Sequence, residues 1–291
     1  MFKPVLAVSF AALFSATSAL AMPDGHHQHD GMQMANPHQM HGMKHDAPGQ
    51  DKATATETLK AEVVSAAPLQ PGKPVQVTVR LTERTNTKPL TLDALKEVHT
   101  RKVHMLVVDP TLTDYHHVHP TPTHTPGEYT FTFTPQKAGY RIWVDVLPVA
   151  TGRQEYVRTE LGQVDAAPAV IDKTVHMSAS VAGYSFTLAL EASPKAGEPV
   201  MGSIAVARNG KPFSQLEPVM GAFAHVVGFS EDAQSVMHIH PMGQEPESAS
   251  ARGGPTLQFH LEPQTPGFIK LFAQVQINGQ DIFAPFGIVV K

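Results

Sequence analysis

The feature that most constrains the fold of this chain is a repeat: an ordered series of short motifs in its first half returns, in the same order, in its second. Gly72-Lys-Pro-Val75 returns as Gly197-Glu-Pro-Val200, and Lys88-Pro89-Leu90 as Lys211-Pro212-Phe213. Phe131-Thr-Phe133, followed by Pro135-Gln136 and Gly139-Tyr140, returns as Phe259-His-Leu261, Pro263-Gln264 and Gly267-Phe268. One large barrel does not explain this order, whereas two similar units do. Within each unit, runs such as Val75 to Leu81, Tyr129 to Phe133, Tyr140 to Val146, Phe186 to Leu190 and Phe268 to Val275 lie between Pro/Gly turns. Several alternate apolar and polar residues, as half-buried strands do. The pattern predicts an all-β protein of two tandem immunoglobulin-like β-sandwich domains, over 57–166 and 172–291, joined at Asp165-Ala-Ala-Pro-Ala169. Thr91 to Lys102 is the one stretch that could hold a short helix.

Export is expected from the first 21 residues. Lys3 gives a positive start, Val5 to Phe14 is a compact apolar stretch, and Ala19-Leu20-Ala21 ends it with small residues, the layout of a cleaved secretory signal. It suits a bacterial periplasmic protein. No later segment offers about 18 consecutive apolar residues, so no membrane span is expected after cleavage. The 291 residues contain no cysteine. An exported chain of this kind holds together by core packing, and any metal site in it is built from His, Met, Asp and Glu. A net charge of −4, without a Lys/Arg cluster, argues against nucleic acid as a partner.

Seventeen histidines and twelve methionines then need an account. Residues 22–56 hold almost no apolar side chains beyond Met, and so are expected to form a disordered arm. It interleaves His26, His27, His29, His38, His41 and His45 with Met32, Met34, Met40 and Met43. Thioether and imidazole together suit Cu(I) and Cu(II), and the carboxylates that calcium or magnesium would need are scarce. Zinc or nickel buffering by His alone, and a solubilising linker of biased composition, are the competing accounts.

The second histidine group lies inside the repeat. His104 is followed by His117, His119 and Pro120; His225 is followed, at the same spacing, by His238, His240 and Pro241. Residues i and i+2 of a strand share a face. A hairpin centred near residue 112 would set His104 about opposite His119, so that three imidazoles converge at distances a metal ion can bridge. The same construction joins His225, His238 and His240. The competing reading is a duplicated structural histidine that hydrogen-bonds a backbone carbonyl. His116 and His124 flank the first triad as fourth ligands or as a polar rim. Met237 and Met242 border the second, where core packing is the plainer role for Met237. His99 and His176 read as surface residues, and His260, whose repeat equivalent is Thr132, has no shared role.

The tract HHQHDGMQMANPHQMHGMKHD resembles those of the His/Met-rich periplasmic copper-handling proteins of Gram-negative bacteria. The Tyr115-His-His-Val-His-Pro120 and Val236-Met-His-Ile-His-Pro241 segments resemble those of secreted bacterial proteins with immunoglobulin-like or cupredoxin-like β domains. The resemblance implies copper tolerance or delivery, with a copper exporter or acceptor protein as partner. One departure matters: a blue-copper electron carrier needs a Cys thiolate, and this chain has none.

Catalysis has less support than binding. No G-x-S-x-G or H-E-x-x-H motif is present, so an enzyme would have to use the triads as open three-His metal sites. A copper–zinc dismutase fits poorly because that plan has no place for the repeat. A copper monooxygenase using its own N-terminal His is disfavoured, because cleavage after Ala21 exposes Met22. A third class, a tandem immunoglobulin-like interaction module with structural histidines, accounts for the repeat but leaves the arm unexplained. The expectation is thus a metal-binding protein, with copper favoured and zinc or nickel as alternatives.

Overall fold

The computed structural model describes residues 57–164, 169–239 and 241–291. The expected signal segment 1–21, the arm 22–56 with all its His and Met candidates, residues 165–168 of the expected linker, and His240 lie outside them. Every long element among the described residues is a strand. The stretch considered for a helix holds one 3-10 turn, Leu92–Ala94.

Each half is a sandwich of two antiparallel sheets. In the first, Leu59–Ala66, Val75–Glu83, Glu128–Phe133 and Thr121–Pro122 lie side by side in that order. Facing them, Tyr115–Val118, Val103–Val108, Gly139–Pro148 and Glu155–Gly162 follow one another. The second half repeats both orders. Tyr184–Leu190, Val200–Arg208, Thr256–Leu261 and Pro241–Met242 form one sheet, and Val236–Ile239, His225–Ser230, Gly267–Ile277 and Gln280–Val290 form the other. The repeat seen in the sequence is therefore a repeat of topology, and two tandem immunoglobulin-like sandwiches result.

The outer sheets alternate buried and exposed residues, as Val75–Glu83 does. The inner sheets do not: all six residues of Val103–Val108 are buried, as are five of the six of His225–Ser230. Period-2 geometry explains this, because each face of these strands meets a different core. Met105, Val107, Ile142, Val144 and Val146 point into the first sandwich. Val226, Leu271, Ala273 and Val275 point into the second. The residues between them form a third core shared by both halves: Leu106, Val108, Leu112, Tyr115 and Trp143 from one, Val227, Phe229, Ala233, Val236 and Phe272 from the other.

These two sets are the same five positions of the repeat. Contacts between like positions mean that the halves meet about a pseudo-twofold axis, as in an isologous dimer. The loops add a direct sign of that axis: a Cβ built on Gly221 would lie 3.3 Å from Cγ2 of Thr100, its repeat equivalent. At the rim, Arg141 donates to the Asp232 carbonyl at 3.4 Å, and the Arg158 guanidinium lies 5.7 Å above the Trp143 ring.

If this third core joins the halves, Phe229→Ala should destabilise the protein by about 3–5 kcal/mol in chemical denaturation, the usual loss for a buried Phe. A loss under about 1 kcal/mol would mean that Phe229 contributes little to docking.

Candidate metal centre

Two hairpins carry the histidines, and their turns set the register. In the first, the buried Asp109 carboxylate accepts the backbone N–H groups of Thr111, Thr113 and Asp114 at 2.7–2.8 Å. In the second, Asp232 accepts the Gln234 N–H at 2.9 Å, and the Ser230 hydroxyl accepts that of Ser235 at 2.9 Å. Leu112 and Ala233, equivalent in the repeat, take up the left-handed conformation at φ 56° and 51°. The resulting pairings, Met105 with Val118 and Val226 with Ile239, are equivalent too. They leave His104, His117, His225 and His238 on the faces that meet across the axis.

His104, His117 and His119 come together, with nitrogen atoms all within 4.8 Å of one another. His104 Nδ1 lies 3.2 Å from His117 Nε2 and 3.2 Å from His119 Nε2. Outer hydrogen bonds fix the tautomers. His104 Nε2 donates to the Val98 carbonyl at 2.9 Å, and His117 Nδ1 donates to Gln274 Oε1, in the other half, at 3.0 Å. The remaining nitrogens, His104 Nδ1 and His117 Nε2, therefore carry lone pairs, and these face one another. Two ligands of a tetrahedral ion with bonds of about 2.0–2.1 Å lie about 3.3 Å apart. The spacing and the protonation both fit a cation between them.

The second group has the same logic with one change of membership. His225 Nε2 donates to the Val219 carbonyl at 3.1 Å, and His238 Nδ1 donates to Asp145 Oδ2, in the first half, at 2.9 Å. These bonds engage Nε2 of His225 and Nδ1 of His238 and leave His225 Nδ1 and His238 Nε2 as the other ring nitrogens. The third imidazole within 4.8 Å is His99, whose ring centroid is 5.0 Å from those of both His225 and His238. His99 was expected at the surface; it sits half-buried in the centre instead. No spacing rule could find it, because it arrives from the opposite half of the chain on a loop outside the H-x12-H-x-H pattern. His240, expected to be the third member, lies outside the described residues.

The two groups form one buried cluster. His238 lies 5.5 Å from His104 and 5.2 Å from His117 between ring centroids. Asp145 is buried and also accepts from Gln154 Nε2 at 2.6 Å. The other expected candidates stand apart. His116 turns to the Asp114 carboxylate at 3.2 Å and packs against Phe133, so it is no fourth ligand. His124, His176 and His260 are exposed. Met237 packs against the second core, and Met242 is exposed.

Burial and like charge keep His117 and His119 neutral. Desolvation, then the neighbouring His238 and His104, hold His117 well below the usual histidine range. Desolvation, then His104, Arg101 and His225, push His119 down to about 3. Neutral imidazole is the form that ligates a metal. The depression also has a consequence for stability. Below the ordinary histidine value near 6.5 the unfolded chain takes up protons that the folded chain refuses, so stability falls as pH falls. For metal-free protein, His119 should cost roughly 2 kcal/mol at pH 5, because it stays neutral in the folded chain and is protonated in the unfolded one. Thermal melting between pH 7.5 and 4.5 should show a steady drop, which His119→Gln makes shallower; a flat profile would contradict the assignment.

The sequence comparisons give a family without a characterised activity. No curated protein matches this sequence. Among solved structures, the D00-D0 domain of Intimin aligns at 8% identity over 80% of this chain and 99% of its own, with a TM-score of 0.21. Salmonella alpha-2-macroglobulin aligns at 12% identity and a TM-score of 0.22, over 80% of this chain and 15% of its own. Latent PorU from Porphyromonas gingivalis aligns at 12% and 0.24, over 84% of this chain and 21% of its own. This chain thus matches only a small part of the latter two proteins. A domain of unknown function, DUF8832, matches residues 54–161 and again 179–291, one match for each sandwich. The chain belongs to the DUF8832 domain family.

Proposed function

We propose that this is an exported copper-binding protein of the bacterial periplasm, which sequesters the metal or passes it on. The observation that carries the reading is the pair of lone-pair nitrogens, His104 Nδ1 and His117 Nε2, held 3.2 Å apart by outer hydrogen bonds that fix both tautomers. A cation between these two nitrogens would relieve the repulsion of their lone pairs, and burial disfavours a proton on His117. A second group of three imidazoles within the same cluster gives capacity for two ions.

Copper is favoured over zinc and nickel by the arm, where Met32, Met34, Met40 and Met43 alternate with six histidines. The arm would collect copper loosely and the interdomain centre would hold it more tightly, for later release to an exporter or acceptor protein. Export is supported by the layout of residues 1–21. Among the described residues no helix is long and apolar enough to cross a membrane.

The competing structural reading draws on the carbonyl bonds of His104 and His225. Titration of the mature protein with Cu(I), Cu(II), Zn(II) and Ni(II), read by native mass spectrometry and calorimetry, separates the two. Two tight copper equivalents are expected. His117→Gln with His238→Gln should remove both, while deletion of residues 24–46 should remove only weaker sites. Unchanged tight binding with an earlier melting transition would establish the structural role, and saturation by zinc without copper preference would overturn copper.

A further inference from the structure

The pseudo-twofold relation is kept closely through the centre, so the places where it fails carry information. It is kept in the histidine pairs His104/His225 and His117/His238, and in the carbonyls of Val98 and Val219 that fix their tautomers. It is also kept in the turns that follow those carbonyls. Val98 and Arg101 exchange backbone hydrogen bonds of 2.8 and 3.1 Å, and Val219 and Ala222 exchange bonds of 2.7 and 3.1 Å. Both central residues of each turn have positive φ: His99 at 49° and Thr100 at 63°, Met220 at 51° and Gly221 at 77°. These are the same tight hairpin turn with the same handedness.

The symmetry fails at two positions near the metal groups. His99 in one turn is Met220 in the other. Asp145, the acceptor for His238, is Gln274, the acceptor for His117. Asp145, Gln274 and His99 each serve the opposite half. His99 leaves the first position of its turn and crosses to His225 and His238. Met220 holds the matching place in an identical turn, and the same axis would carry its side chain from the second half toward His104, His117 and His119. Met220 is half-buried, as His99 is.

Resting on the reading of the cluster as a metal centre, we infer that its two sites are chemically unlike: Met220 completes the His104, His117 and His119 site with a thioether, making it selective for Cu(I), while His99, His225 and Asp145-backed His238 form a site for Cu(II) or Zn(II). Both failures of symmetry act in the same direction. Thioether sulfur is a soft ligand that favours Cu(I). A neutral amide partner leaves His117 a weaker donor, whereas a carboxylate partner raises the basicity of His238 and suits a divalent ion. The site with the soft ligand thus has the weaker imidazole, and the site with His99 has the carboxylate.

The test uses the full mature chain with Met22, Met32, Met34, Met40 and Met43 changed to Leu, which removes the arm's sulfur. Copper K-edge absorption with one equivalent of Cu(I), under anaerobic conditions, should show a sulfur neighbour that Met220→Leu abolishes. In competition with a chromophoric Cu(I) chelator, the same substitution should lower Cu(I) affinity roughly tenfold or more and leave Zn(II) affinity unchanged. Asp145→Asn should do the reverse, weakening Zn(II) by about 10–100-fold and sparing Cu(I). Thermal melting of the metal-free variants checks that each is folded. Copper bound by nitrogen alone, with no change on Met220→Leu, would overturn the inference and leave the metal centre standing. Failure of the folded parent chain to bind Cu(I), Cu(II) or Zn(II) would overturn both.

Discussion

The structure depends on the burial of two sheets on both faces. Val103–Val108 and His225–Ser230 each give alternate residues to their own sandwich and to a core shared between sandwiches. A strand of this kind has no solvent side, so a polar residue on it must find its partner inside the protein. At one end of the shared surface the side chains are aromatic and aliphatic, and Tyr115 stacks on Phe272 with ring centroids 4.9 Å apart. At the other end the same strands carry His104, His225, Asp145 and Gln274. The apolar end fixes the approach of the halves, and that approach brings the imidazoles together.

The cluster belongs to neither half alone. His117 is oriented by Gln274 and His238 by Asp145, each across the pseudo-twofold axis. His99 likewise crosses to the opposite pair. Separating the halves would therefore strip His117 and His238 of the partners that set their tautomers, and the second group of its third imidazole. In the proposed reading, duplication of one sandwich created two histidine hairpins, and docking of the copies turned them into a single buried centre.

Much of this was legible in the sequence, for physical reasons. The repeat motifs lie at turns and strand starts, where Gly and Pro are demanded by backbone geometry, so they return at equivalent places in the fold. The alternation in Val75–Glu83 and Glu128–Phe133 marks half-buried strands and reads directly. The hairpin spacing placed His104 beside His117 and His119 because a strand register follows from its turn. What could not be read was the docking of the halves. His99 read as a surface residue because it lies outside the repeated H-x12-H-x-H spacing, and Asp145 and Gln274 gave no signal because their partners lie 93 and 157 residues away. Close-packed apolar runs in the inner strands were the one visible hint that both of their faces are covered.

The central claim is that the interdomain histidines hold copper. Anomalous-difference maps from crystals of the mature protein grown with copper, collected on either side of the copper absorption edge, test it most directly. The account predicts density among His104, His117 and His119 and a second peak among His99, His225 and His238. Copper-saturated protein with neither peak, and with the imidazoles still bonded to one another, would contradict it.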